Sequence, residues 1–189
     1  MNDEPLLVVD ALSAGYEHPV VGPISFSLYR GDVIAVRGPN GAGKSTLLNT
    51  IGGGGRVFSG SVMRRPGVRV SHQQQAALPL DNVPLSGREL LALTGADVRG
   101  LPDWISPLVS NRLDRLSGGQ LQFMQIWACL KAPVDVILLD EPVNNLDPRA
   151  ARYLEGQIQE MRATRGMLVV SHDRAFLDHI STRTLELGP

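Results

Sequence analysis

The run Gly38-Pro39-Asn40-Gly41-Ala42-Gly43-Lys44-Ser45 constrains the fold more than any other segment. It lies between a compact apolar strand, Val33-Ile34-Ala35-Val36, and a stretch from Lys44 to Ile51 that fits a helix. It satisfies the GxxxxGK[ST] pattern in full, in the strand–loop–helix setting that the pattern requires. Glycines at these spacings let backbone N–H groups converge on phosphate oxygens, and the positive end of the helix dipole faces the same anion. Lys44 can reach β- and γ-phosphates, the Ser45 hydroxyl suits Mg²⁺, and Thr46 adds a hydroxyl near an α-phosphate.

A second buried strand supplies the acid that such a loop needs. Val136-Ile137-Leu138-Leu139 is continuously apolar, as in a parallel sheet covered on both faces, and it delivers Asp140 and Glu141 to its end. Asp140 is placed to hold a Mg²⁺ shell, and Glu141, one residue on, to face an attacking water. The remaining pattern is α/β. Leu6 to Asp10 reads as a strand, Ile24 to Leu28 as a half-buried one, and Val62 and Val68 to Val70 suggest two more. Gly52 to Gly55 ends the first helix. Ser86 and Glu89 form a capping box ahead of Leu90, Leu91 and Leu93, with Gly95 as the stop. Pro102 to Pro107 reads as a loop or short helical turn. A helix runs from Gly119 to about Pro133, and Asp147-Pro148 opens another that Gly166 is expected to end. Met167 to Val170, Arg174 to Ile180 and Thr184 to Leu187 read as strand, helix and strand.

Between the two phosphate-site segments stands Leu116-Ser117-Gly118-Gly119-Gln120. With it, the chain resembles the nucleotide-binding domain of ATP-binding cassette (ABC) proteins over essentially its whole length, with the motifs in that family's order. The resemblance implies a P-loop NTPase, RecA-like core with a mostly parallel sheet, an N-terminal antiparallel β subdomain and an inserted α-helical subdomain. It divides the chain into residues 1–75, 76–120 and 121–189: β subdomain with the first half of the core, helical insertion, and second half. It makes Ser117, Gly118, Gly119 and Gln120 a signature that reaches across a head-to-tail dimer to the partner's ATP. Tyr16 takes the position of the aromatic that stacks on adenine. Gln73 resembles the glutamine that senses Mg²⁺ and couples to a membrane partner, with Gln74 and Gln75 as alternative registers. Asp147, in Asn145-Leu146-Asp147, belongs to the loop that touches the other protomer's site. His172 matches the histidine on the γ-phosphate.

Two departures from the family pattern stand out. The helix after Gln120 reads Leu121-Gln122-Phe123-Met124-Gln125-Ile126-Trp127, where the family usually places arginines, and Val143 replaces a Thr or Ser. The resemblance implies ATP and Mg²⁺ as ligands and hydrolysis at two composite sites of a homodimer. Its leading form is the subunit that powers a transporter, docked on a separate integral-membrane permease, cytoplasmic and peripheral on the inner membrane face. Leu78 to Leu93 faintly resembles the zinc and manganese importer branch. Ser171 to Asp178 resembles the translation-factor branch, which leaves a ribosome-associated or assembly role as the alternative.

Composition fits these expectations. Lys and Arg total 18 against 19 for Asp and Glu, a net charge of −1 that offers no basic field for nucleic acid. The one cysteine, Cys129, excludes an internal disulfide and any multi-cysteine metal site. No apolar run approaches a membrane span, and the start lacks the pattern of a secretory signal. Any spanning part is therefore expected from another polypeptide.

Overall fold

The computed structural model describes residues 4–74 and 84–188. Its centre is a five-stranded sheet in the order β5-β6-β7-β3-β8, formed by β3 (Val33–Arg37), β5 (Val70–Gln73), β6 (Val136–Asp140), β7 (Gly166–Val170) and β8 (Arg183–Glu186). Every pairing in it is parallel. A strand covered on both faces can be apolar at each position, and alternation then sorts its residues into two cores. Ile34, Val36, Val136, Leu138, Leu168 and Val170 point to one core. Val33, Ala35, Ile137, Leu139, Met167 and Val169 point to the other.

The first face packs on α1 (Lys44–Gly52), which buries Leu47, Leu48 and Ile51. An antiparallel sheet of β1 (Leu7–Gly15), β2 (Pro19–Leu28) and β4 (Arg56–Arg64), in the order β2-β1-β4, closes the same core. The second face is covered by α3 (Gly118–Lys131), α4 (Pro148–Met161) and α5 (Arg174–Ile180). Residues 84–117 hold α2 (Gly87–Thr94) and two short 3-10 turns, Ser106–Leu108 and Leu113–Arg115. Here turns outweigh helix, because Pro102 and Pro107 interrupt any longer helical run. The Ser86/Glu89 capping box forms in both directions, and Gly95 closes α2 in a left-handed conformation.

Several boundaries move. β1 runs past Asp10 to Gly15 through register shifts near Ala11, whose φ is +43°; such bulges break the two-residue alternation that marks a strand. β5 begins at Val70 rather than Val68, so Gln73 is the last residue of the strand instead of following it. Gly166 does not stop α4. That helix ends at Met161, a 3-10 turn covers Arg162–Thr164, and Gly166 opens β7. A Cβ at Gly166 would lie 2.8 Å from Leu28 Cγ and 2.9 Å from the Tyr29 carbonyl, so close strand packing explains this glycine. Gln75, Asp81, Asn82 and Val83, part of the coupling and importer-like readings, lie outside the described residues.

The helix that departs from the family pattern finds its explanation in a third core. Phe123 and Trp127 are buried among Trp104, Tyr153, Leu91 and Ile105. Phe123 meets Trp104 edge-on at 4.8 Å between centroids and stacks on Trp127 at 6.1 Å. The Trp127 indole N–H donates to the Asp97 carbonyl at 2.9 Å, so its polar atom is also satisfied. Aromatic side chains at these positions face inward.

Candidate active site

The phosphate loop joins β3 to α1. Gly38, Gly41 and Gly43 have φ of +152°, +85° and +83°, and Gly43 is the N-cap of α1 with no side-chain cap bond. Among the described residues no capping side chain takes up the N–H groups of the first helical turn, which suits an anion. Within the loop, Ala42 N–H donates to the Pro39 carbonyl at 3.2 Å. The Lys44 ammonium donates to the carbonyls of Gly38 at 3.0 Å and Pro39 at 2.9 Å, so it lies over the loop.

A cavity of about 300 Å³ is lined by Asn40, Gly41, Gly43, Lys44, Ser45, Thr46, Glu141, Val170 and His172, with Val20 on its wall. Parallel pairing makes this convergence: β3, β6 and β7 all end on the same side, so the loop after each meets the others. Glu141 is almost fully buried. Its Oε2 accepts from the His172 backbone N–H at 3.1 Å, and its Oε1 lies 3.4 Å from His172 Nε2. Asp140 is buried beside it, and its Oδ1 has no hydrogen-bond partner among the described residues. Burial pushes the Asp140 carboxyl above the usual carboxylate range; the nearby Ser45 hydroxyl works against that shift, and the neighbouring Glu141 charge adds to it. A carboxylate oxygen without a partner, next to a hydroxyl, is the hard oxygen donor set that Mg²⁺ takes together with substrate phosphates. Ser45 and Asp140 fit that ion.

Other sequence-derived candidates stand apart from this cavity. Gln73 lines a separate cavity of about 450 Å³ with Ser71, His72, Gln74, Leu90 and Cys129. Its Nε2 donates to the Gln74 carbonyl at 2.7 Å, while its buried Oε1 has no partner among the described residues. Tyr16, just after β1, is half-exposed, and its hydroxyl accepts from Asn49 Nδ2 at 2.8 Å. Asn49 Oδ1 in turn accepts from Gln74 at 3.3 Å.

Ser117, Gly118, Gly119 and Gln120 do not line the 300 Å³ cavity. Ser117 caps α3: its Oγ accepts from Gln120 N–H at 3.3 Å, and Gln120 Oε1 accepts from Ser117 N–H at 2.9 Å. The Ser117 hydroxyl proton is therefore left to donate elsewhere. Asp147 caps α4 by accepting from Ala150 N–H at 2.8 Å. Gly119 packs so closely on the following loop that a Cβ would sit 2.8 Å from the Asn145 carbonyl oxygen. Sequence reasoning missed Val20, an exposed residue with no motif of its own. It also missed Gln122, whose side chain reaches the Glu141 and Pro142 carbonyls; its place two residues after the signature was the available signal.

Fold and cavity together define a P-loop nucleoside triphosphatase. A family model described as ABC transporter matches residues 21–144, and the chain belongs to that family as an ATP-hydrolysing, nucleotide-binding subunit. It is similar to the zinc import ATP-binding protein ZnuC of Marinobacter nauticus, with 32% identity over 90% of this chain and 69% of that one. It is also similar to the energy-dependent translational throttle protein EttA of Escherichia coli K12, with 30% identity over 97% of this chain but only 35% of that one. A solved ATP-binding subunit of an ABC transporter superposes with a TM-score of 0.82 at 24% identity, covering 96% of this chain and 85% of the other. Among the described residues, no helix is long and apolar enough to cross a membrane.

Proposed function

We propose that the chain is the ATPase subunit of a metal-ion importer, working as a head-to-tail homodimer on a separate membrane permease. One observation carries the dimer. The signature residues Ser117 to Gln120 lie outside the chain's own phosphate cavity, with the Ser117 hydroxyl free to donate. A second copy, turned head to tail, would bring them to the nucleotide.

In each composite site Lys44 and the loop N–H groups hold the β- and γ-phosphates, and the partner's Ser117 and Gly119 donate from the other side. Glu141 orients or deprotonates the attacking water. His172, whose backbone and ring both face the Glu141 carboxylate, fixes that carboxylate and contacts the γ-phosphate. Mg²⁺ held by Ser45 and Asp140 would supply charge neutralisation between the phosphates. Phosphoryl transfer asks chiefly for positioning and charge stabilisation, which this set provides. Tyr16 stacks on the adenine. Gln73, whose side-chain oxygen has no partner among the described residues, lies in a cavity between β5, α2 and α3 and faces the permease.

Metal import is supported by the similarity to ZnuC over most of both chains. The rival, a ribosome-associated role, draws on EttA, of which this chain spans about a third. In Glu141→Gln, ATP should still bind and convert the chain to a stable dimer on size exclusion, with turnover reduced by about a hundredfold or more. Wild-type turnover would sink the assignment of Glu141. Pull-down from native membranes should recover a multi-spanning protein; recovery with ribosomes instead would transfer the chain to the rival role.

A further inference from the structure

Gln122 stands in the first turns of α3, five residues after Ser117, and faces the loop that follows β6. Its Nε2 donates to the carbonyl oxygens of Glu141 and Pro142, each at 3.2 Å. Its Oε1 accepts from Asn145 Nδ2 at 3.5 Å. Nearer the helix start, Gly119 presses against the Asn145 carbonyl of the same loop. Glu141 and Asn145 both hold left-handed backbone, with φ of +52° and +61°. Asparagine adopts that conformation readily, but a glutamate keeps it chiefly where its surroundings impose it.

We propose that Gln122 is a positioning residue for hydrolysis. It holds the Glu141 peptide in its left-handed conformation, so that the carboxylate is presented to the cavity, and it ties that peptide to the helix whose start carries the signature. The inference rests on the reading of Glu141 as the group that orients water and of Ser117 to Gln120 as part of the partner's site. It adds a direct link between the two sites of a dimer. A shift of α3, when Ser117 engages the partner's nucleotide, passes through two hydrogen bonds to the Glu141 that serves the chain's own nucleotide. The link is a contact between two elements of one chain and needs no path through the ATP cavity.

Gln122→Leu removes the donors and keeps the size. With Mg-ATP, its kcat should fall by about tenfold to a hundredfold, the scale of a small misplacement of a reacting group, while the KM for ATP and the thermal midpoint stay near wild type. Gln122→Lys, whose ammonium can donate to the same two carbonyls, should recover most of kcat. Should Gln122→Leu unfold, Gln122→Glu replaces it: an acceptor facing two carbonyls should give the same loss.

A mixed dimer separates a role within the chain from one across the interface. When a Gln122→Leu chain is paired with a Glu141→Gln chain, the one intact Glu141 lies in the Leu chain. Turnover as low as that of the Leu homodimer is expected. Recovery to about half the wild-type rate, or a wild-type kcat in Gln122→Leu itself, would overturn the inference. Wild-type turnover in Glu141→Gln would instead strike the underlying assignment, and that outcome is recognisable because it involves no change at Gln122.

Discussion

Two adjacent glycines of the signature occupy very different surroundings, and exchanging each for alanine isolates one energetic term. At Gly118 a Cβ would meet nothing within 4 Å; at Gly119 it would lie 2.8 Å from the Asn145 carbonyl oxygen, which is backbone and cannot rotate away. Both glycines sit in the first turn of α3, so both alanines gain a similar helix-propensity benefit of up to about 1 kcal/mol. The difference between the variants is then the overpacking cost alone, about 1–3 kcal/mol. For a chain of this size each kcal/mol moves the thermal midpoint by roughly 2–4 °C. Calorimetry of the nucleotide-free chain should therefore find Gly119→Ala melting about 2–12 °C below Gly118→Ala. Nucleotide is left out so that contacts with a second copy do not enter. Midpoints within a degree of each other would mean that α3 and the loop after Glu141 are not pressed together, and the role given to Gln122 would weaken with it.

Phe123→Ala empties the centre of the aromatic cluster with Trp104, Trp127 and Tyr153. It should cost about 3–5 kcal/mol, measured as a fall in the urea midpoint with unchanged slope; a loss under about 1 kcal/mol would show the cluster to be loosely packed. Cys129 gives a pH dependence. Burial pushes its thiol up from 9.0 to about 11, with the Ser71 hydroxyl and Arg165 opposing. The unfolded chain thus loses this proton first, and the stability the neutral thiol contributes is full below pH 9 and lost as pH rises towards 11. Relative to Cys129→Ala, wild-type stability should drop by about 3 kcal/mol over that interval; parallel profiles would show that the thiol ionises as freely folded as unfolded.

The parts legible in the sequence are those whose cause is local. The loop Gly38 to Ser45, the buried strand before Asp140, the Ser86 capping box and the Asp147-Pro148 helix start each carry their physics in a few neighbouring residues. The parts that were not legible depend on something distant. β1 outruns its expected end because bulges at Ala11 destroy the alternation while the ladder to β2 and β4 continues. Gly166 looked like a helix stop, but its reason is the approach of Leu28 and Tyr29 from far along the chain. Phe123 and Trp127 stand in a stretch where the family usually places arginines, and only Trp104 and Tyr153 reveal them as core. Within the site, the residue types were readable and their hydrogen-bond partners were not. Gln122 and Glu141 are separated by 19 residues, and no pattern in the sequence announces their contact.

The position of β5 at the border of the parallel sheet has a mechanical consequence. β3 and β7, which lead into the phosphate loop and His172, each have a strand on both sides, whereas among the described residues β5 pairs with β6 alone, over four residues. Moving either inner strand breaks two ladders; moving β5 breaks one short one. Opening free energies are lowest where a backbone has fewest partners, so the sheet is stiff under the nucleotide and compliant at Gln73. Amide exchange should follow that gradient, fastest at the end of β5 and slowest along β3 and β7. A pull on Gln73 can then bend the rim of the sheet while the grip on phosphate keeps its shape.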